Sequence, residues 1–456
     1  MMAEWIGRGR AVRLAVLAIS LAVSRGGAAL AADARAAHAP AAVGDIKKRI
    51  AAEYDALLAL YKHLHTHPEL SLQEEKTAAR LSREMRAIGL DVTENVGGHG
   101  IVAVLRNGKG PTVLVRTDMD ALPVVEHTGL PYASKVRARD RYGNDVGVMH
   151  ACGHDMHMTC WVGTARVLAG MKERWQGTLV FIGQPAEEVG AGARMMLDAG
   201  LLRRFPAPDY ALALHCDARS AHGSITYTEG LALANVDSVD ITVHGKGGHG
   251  AAPHTTVDPI VLAARIVLDL QTIVSREVNP TDPAVVTVGS IHGGTKHNII
   301  PNEVKLLLTV RTTKNAVRKH VLEAIKRIAR AAADGARAPE PDVKVDLGEF
   351  TPALRNDKDL TRRTVALFKD VLGPDQVHER PPAMGGEDFS RYGRAGVPIF
   401  MFFLGSVAPQ RVADSLKEGG PALPSLHSDE YSPVPEPTIK TGVLTMTSAV
   451  LNLVGK

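Results

Sequence analysis

The densest run of chemically capable side chains is Met149-His150-Ala151-Cys152-Gly153-His154-Asp155-Met156-His157, five possible metal ligands around one glycine. Cys152 and His154 stand two apart, a spacing that cannot share a helix face but lets an extended or loop backbone aim both at one point. A thiolate, imidazoles and a carboxylate together suit a zinc-like divalent ion. Further candidates close apolar, strand-like runs: residues 112–117 end in Asp118, residues 177–183 in Gln184-Pro185-Ala186-Glu187-Glu188, and residues 210–214 in His215. His427 lies in a polar, proline-bounded loop where packing gives no reason for a histidine, which favours a ligand role.

Such a set can hydrolyse an amide. Water is a poor nucleophile and an amine a poor leaving group, and a divalent ion both lowers the pKa of water and polarises a carbonyl. Glu187 can take the water's proton and deliver it to the departing nitrogen. Glu188, an acceptor-only carboxylate, suits the metal. Asp118 reads as a partner that fixes a ligand rather than as a ligand.

The elements that must position these groups alternate. Helical periodicity over 46–65 and 74–88 precedes strand-like runs at 100–105 and 112–117, and a helix is expected over 156–172. Apolar strands alternating with helices imply an α/β fold, with a largely parallel sheet flanked by helices whose ligands bind beyond the carboxyl ends of the strands. After Gly223 the texture changes to strand 236–244, helix 259–277, strands 284–292 and 304–312, helix 315–333 and strand 343–347. That βαββαβ order predicts an inserted ferredoxin-like lid over residues 230–341, dividing the metal-binding domain into 45–229 and 342–456. Gly245-Lys246-Gly247-Gly248-His249-Gly250 is glycine-rich but lacks the Lys-Ser/Thr of a P-loop, so nucleotide binding is not expected.

Composition narrows the classes. The 456 residues are 45% hydrophobic and 22% charged, ordinary for a soluble enzyme of two or three domains. A net charge of +4 with no long basic block and 4% aromatics argues against nucleic acid as a partner. Arg8, Arg10 and Arg13 precede the apolar run 14–23, and Ala29-Leu30-Ala31 offers a cleavage site, so residues 1–31 read as a secretory signal. The expectation is an exported protein, periplasmic or secreted, with no membrane contact once the signal is removed. Three cysteines make no disulfide framework, and Cys160 and Cys216 are expected as buried free thiols.

His65-Thr66-His67-Pro68-Glu69-Leu70-Ser71, Arg116-Thr117-Asp118-Met119-Asp120-Ala121-Leu122-Pro123, His150-Ala151-Cys152-Gly153-His154-Asp155, Glu187-Glu188, Gly247-Gly248-His249, Asn298-Ile299-Ile300-Pro301 and Gly385-Gly386-Glu387-Asp388-Phe389 occur in that order. In these motifs the chain, from about His63 to its end, resembles the amidohydrolase branch of the aminoacylase/carboxypeptidase-like zinc metallopeptidases. The resemblance implies hydrolysis of N-acyl amino acids, with hippurate-like, auxin-conjugate-like and acetylated substrates known in the branch. By position it implies Cys152, His154, Glu188, His215 and His427 as metal ligands and Glu187 as catalytic base. Five protein ligands in turn imply two divalent ions per subunit, zinc or manganese, since one tetrahedral catalytic ion takes three ligands and keeps water. Peptidase branches place a ligand histidine where this chain has Arg116, which cannot ligate, and Cys152 stands in as compensation. The insertion often pairs two subunits in this family, so a homodimer is implied.

Three lid residues complete the expectation. Asn298 and Arg311 are candidates to grip a substrate carboxylate. His249, in a loop whose glycines admit close approach, is expected to polarise the scissile carbonyl, in its own chain or across to a second subunit. Alternatives are a carboxypeptidase or dipeptidase, a metal-free thiol hydrolase with Cys152 as nucleophile beside His150 or His154, and a binding module without catalysis.

Overall fold

The computed structural model describes residues 42–456, so the expected signal at 1–31 lies outside the described residues. Helix α1 (Val43–Thr66) buries Ile46, Ile50, Leu57, Leu60 and Leu64 at helical spacing and is followed by α2 (Glu75–Ala87). Then come β1 (Asp91–Thr93), β2 (Ile101–Asn107), β3 (Thr112–Asp118) and a hairpin of β4 (Arg137–Arg139) and β5 (Asp145–Gly147). Helix α3 (His154–Ala169) leads to β6 (Gly177–Gln184), and α4 (Gly192–Asp198) and α5 (Leu201–Arg204) precede β7 (Tyr210–Ala221) and β8 (Ile225–Tyr227).

The insertion comprises β9 (Asn235–His244), β10 (Gly248–His249), α6 (Pro259–Thr272), β11 (Ala284–Gly293), β12 (Ile299–Ile300), β13 (Glu303–Thr312), α7 (Asn315–Ala336) and β14 (Asp342–Thr351). The chain returns through α8 (Lys358–Leu372), β15 (Val377–Glu379), α9 (Ser390–Arg394), β16 (Ile399–Val407), α10 (Pro409–Ser415) and α11 (Pro435–Val454).

The large sheet has the order β1-β2-β6-β3-β7-β16-β8-β15, and its central strands β6, β3, β7 and β16 run parallel. Alternation along these strands divides the core. Val113, Val115, Leu179, Phe181, Phe400 and Phe402 pack with α1, α3 and α11, whereas Leu114, Val180, Ile182 and Met401 join a second cluster with Met196, Phe389 and Tyr392. Covering both faces is what a parallel sheet requires, and it makes the strands continuously apolar.

The lid strands lie in the order β11-β13-β9-β14, all antiparallel, which is the ferredoxin-like arrangement expected from their sequence order. The lid buries its own core, including Val239, Ile241, Leu306, Ile266 and Ile325. Its expected end at residue 341 moves to Thr351, because β14 pairs with β9 and so belongs to the lid sheet. The helix expected over 259–277 stops at Thr272 and continues as a π-helical turn, Ile273–Glu277. Its start is set by Asp258, whose carboxylate accepts from the backbone amides of Ile260 and Val261, with Pro259 at the first turn. Leu231 and Arg355 bridge the two crossovers that join the domains. None of the helices among the described residues is long and apolar enough to cross a membrane.

Candidate metal centre and active-site cleft

Three strands deliver side chains to one face. Arg116 and Asp118 end β3, Gln184 ends β6, and the Glu187-Glu188 loop follows. His215 does not close its strand as expected. It lies within β7, which runs on to Ala221 by pairing with β16 after β3 has ended. Gly153 caps α3 with φ 81°, and a Cβ there would stand 3.2 Å from Cβ and Sγ of Cys216, so the turn that carries Cys152 and His154 needs glycine twice over.

Cys152, His154 and His215 offer ligand atoms that lie within 4.8 Å of one another, as do Cys152, Glu188 and His427, and His154, Glu187 and Glu188. All five expected ligands are therefore brought together, with Cys152 common to the first two groups. The ring orientations fit a metal. Nδ1 of His154 lies 2.8 Å from the Asp120 carbonyl, and Nδ1 of His215 lies 2.8 Å from the Cys216 carbonyl. A carbonyl only accepts, so each Nδ1 carries hydrogen and each neutral ring presents a bare Nε2. Nε2 of His154 and Oε1 of Glu188 are buried without a hydrogen-bond partner, 3.6 Å apart. His427 reaches Glu188 Oε2 at 3.4 Å from a backbone with φ 68°, a conformation rare outside glycine and held by its amide donating to the Ala151 carbonyl.

His157 belongs to the same cluster but is committed elsewhere. Its Nδ1 donates to Asp118 Oδ1 at 2.7 Å, and its Nε2 accepts from the Cys216 amide at 2.7 Å. Asp118 thus steadies His157 and Arg116, and it faces His154 on the Nε2 side at 3.6 Å. The group behind the His154 ring is the Asp120 carbonyl.

The electrostatics demand cations. Arg116, fully buried, donates to Asp118, Glu387 and Asp388 at 2.6, 2.8 and 3.3 Å. Burial, then Glu387, Glu188 and Asp388, push the Glu187 carboxyl well above its usual range. Burial is also the main reason Glu188 rises to about 7. Burial opposes charge on His154, but Asp118, Asp120 and Glu188 outweigh it and raise the ring to about 10; a divalent ion would take that proton's place. The Cys152 thiol is pushed well up by burial and by Glu188, Glu187 and Asp118. A metal-free nucleophile needs the opposite surroundings, so the thiol-hydrolase alternative loses its support.

Sequence reasoning missed several groups. Glu74 accepts the Ala186 amide and Asp120 accepts the Glu188 amide, at 2.8 and 2.9 Å, so two buried carboxylates hold the peptides flanking Glu187. Ala186 itself is bent to φ 51°. Glu387 and Asp388 were visible only as a motif; the need of buried Arg116 for acidic partners was the available signal.

Cys152, Glu187, Glu188, His215 and His427 border a cavity of about 310 Å³ between the domains, completed by Arg311, Ser238 and Thr309 of the lid and by Arg141 of the β4–β5 hairpin. Arg311 is thus placed beside the cluster. Asn298 and His249 are not. They line a separate lid cavity of about 530 Å³ with Ile299 and Asn302, and in a single chain they stand apart from the metal ligands.

A model of Peptidase family M20/M25/M40 matches residues 114–418. The chain belongs to that family. It is 36% identical over 354 residues to N-acetylcysteine deacetylase of Bacillus subtilis (strain 168), covering 77% of this chain and 88% of that protein. It is 35% identical over 356 residues to thermostable carboxypeptidase 1 of Saccharolobus solfataricus, covering 77% and 86%. The solved structure of Bacillus subtilis YXEP protein, described as a dinuclear metal binding peptidase from the M20 family, superposes with a TM-score of 0.69 at 30% identity, covering 88% of this chain and 99% of that one. The protein is accordingly an M20-family metallo-amidohydrolase.

The ring assignments separate ligand from support. His154→Ala should lower bound metal substantially, whereas His157→Asn should leave metal content near that of the parent, as read by elemental analysis after dialysis. Equal loss in both variants would make His157 a ligand.

Proposed function

We propose that the enzyme cleaves the amide bond of N-acyl amino acids, releasing a carboxylic acid and a free amino acid. The observation that carries this reading is Arg311. Its guanidinium borders the same cavity as the ligand cluster, is partly buried, and has no acidic partner among the described residues; its Nε donates to Thr309 Oγ1 at 3.1 Å. An unpaired guanidinium beside an amide-hydrolysing centre suits a carboxylate one carbon removed from the scissile amide nitrogen, because Arg binds carboxylates by two parallel hydrogen bonds. The similarity to N-acetylcysteine deacetylase supports the same substrate class. A carboxypeptidase substrate also offers that carboxylate, and the similarity to thermostable carboxypeptidase 1 keeps dipeptides as the second reading.

Cys152, His154, Glu188, His215 and His427 would hold the two ions, zinc or manganese, with the thiolate favouring zinc. Bound there, the ions supply Lewis acidity towards a carbonyl and acidify water. Glu187 takes a proton from water and passes it to the amide nitrogen as the C–N bond breaks; its raised pKa suits both halves of that task. Arg116, Glu387 and Asp388 pack behind Glu187 and limit its reorientation. Asn298 and His249 would join from the lid, with His249 donating to the developing oxyanion.

Since His249 and Asn298 line a cavity of their own, we infer a homodimer in which the partner subunit brings them to the centre. The lid offers a surface for pairing: β11 is an edge strand, Ile291 on it is exposed, and Val261 and Leu268 of α6 are 67% and 71% exposed.

Glu187→Gln should retain both ions and lose about 10²–10⁴-fold in kcat, the usual worth of a general base. The assay is a panel of N-acetyl, N-benzoyl and indole-acyl amino acids with dipeptides, under added zinc, manganese or cobalt. Turnover of dipeptides alone would reverse the order of the two readings, and full activity after exhaustive chelation would refute both.

Arg311→Ala should raise KM for N-acyl amino acids far more than for the corresponding N-acyl amino acid amides, which lack the carboxylate. Equal changes for both remove Arg311 from carboxylate binding.

Mixing inactive Glu187→Gln with inactive His249→Ala tests the partner role. A mixed dimer then holds one complete centre and regains part of the parent activity. Verified mixed dimers without recovery would confine His249 to its own chain.

A further inference from the structure

The turn between α1 and α2 reaches the catalytic loop in a way that helix formation does not explain. Glu74 stands at the N-cap of α2, where a side chain ordinarily accepts from the second or third amide of its own helix, yet its carboxylate makes no such contact. Glu69 takes that role, accepting from the Lys76 and Thr77 amides at 3.2 and 2.8 Å. The Glu74 carboxylate is thereby free to turn inward, and it is fully buried. Its Oε1 accepts from the Leu72 amide and from the Ala186 amide, both at 2.8 Å. Neither recipient is glycine, and both have φ in the left-handed range, 69° at Leu72 and 51° at Ala186. One oxygen therefore fastens two strained residues, one in the turn and one directly before Glu187.

The same turn supports the other side of Glu187. Ser71 Oγ donates to Asp120 Oδ2 at 2.6 Å, and that oxygen also accepts from the Glu188 amide at 2.9 Å. The turn is itself fixed to the end of β3, because the Ala121 amide donates to the Glu69 carbonyl at 2.8 Å. The Ala186 carbonyl accepts from the Ala191 and Gly192 amides at 3.1 Å, and the Gly190 amide donates to the Glu187 carbonyl at 2.7 Å. The peptides before Ala186, before Glu187 and before Glu188 are all held, and Glu74 is the side chain that holds the first. We propose that Glu74 is a positioning residue for the catalytic base: by keeping Ala186 left-handed, it sets the direction in which the Glu187 side chain leaves the backbone. It acts through its length and one acceptor oxygen rather than through its charge. Burial, and then Asp120, raise its carboxyl to about 8, so the buried group does not need to be ionised to accept both amides. The inference rests on the reading of Glu187 as the base.

Kinetics of the metal-loaded full chain, on the best substrate of the panel above, separate length from charge. Glu74→Asp keeps the charge and is a favourable N-cap, but its carboxylate falls about 1.5 Å short. Glu74→Met keeps the length and offers no acceptor oxygen. Both should retain bound metal by elemental analysis and a KM near that of the parent, with kcat lower by about 10- to 100-fold, the usual effect of a displaced reacting group. Glu74→Gln, which keeps both the length and an acceptor, should recover most of the parent kcat. A role for the charge alone reverses that order, so a Glu74→Asp enzyme faster than Glu74→Gln overturns the proposal. Loss of metal in step with kcat in the Asp and Met variants overturns it too, because the turn would then hold the ligands rather than the base. Glu187→Gln judges the underlying reading separately: an active Glu187→Gln removes the base, whereas an inactive one beside Glu74→Asp and Glu74→Met of parent kcat removes Glu74 alone.

Discussion

An excess of buried negative charge governs this molecule. Asp118, Asp120, Glu387 and Asp388 are almost wholly buried and Glu187 and Glu188 half-buried, yet among the described residues Arg116 is the one permanently charged cation hydrogen-bonded to them. An uncompensated buried carboxylate costs several kcal/mol. Part of the strain is relieved by protonation: Asp388, raised mainly by burial and by Glu387, reaches about 7, as does Glu188. Asp118 goes the other way, because His154, His157 and Arg116 outweigh its burial. Divalent ions relieve the remainder, so their binding energy is also folding energy for this end of the sheet.

The sheet tolerates that concentration because its geometry leaves little choice. Strands covered on both faces present polar groups only where they end, and β3 and β6 end side by side. Three backbone distortions then finish the site: the left-handed Gly153, Ala186 and His427 stand beside or at Cys152, Glu187 and the last ligand. Positive φ costs a non-glycine residue of order 1 kcal/mol, and each instance here is held by hydrogen bonds or packing around it.

Much of this was legible in the residues. Apolar runs located the central strands, and alternation and helical periodicity located the lid, because those elements bury large regular faces. The five ligand candidates came from the family resemblance, and only His427 also stood where packing gives a histidine no reason; the structure gathers all five at one end of the sheet. What escaped was what depends on three-dimensional neighbours. The β4–β5 hairpin has almost no buried face to announce it, and β1, β8 and β15 are three residues each. The expected lid boundary at residue 341 falls short because the pairing of β14 with β9 carries the lid sheet on to Thr351. Glu74, Asp120 and the Asp118–His157 contact are side-chain to backbone or side-chain to side-chain pairings across 39 to 112 residues, and no local pattern encodes them.

The separation of His249 and Asn298 from the metal ligands constrains how a complete centre can form. The His249 loop cannot swing across by itself: β10 pairs with β12 at Gly248↔Ile300 and His249↔Ile299, and the Gly250 amide donates to the Asn298 carbonyl at 2.9 Å. His249 and Asn298 therefore travel together, and with them the lid, since the Gly245 amide also donates to the Asn302 carbonyl next to β13. A lid with its own hydrophobic core moves as one body about two short crossovers. Within one chain, any motion that carries His249 to the cluster must also move Arg311, on β13 of the same lid, from its place beside Glu187. The homodimer proposed above would remove the conflict, because one lid could then keep Arg311 at its own centre while its far loop serves the other.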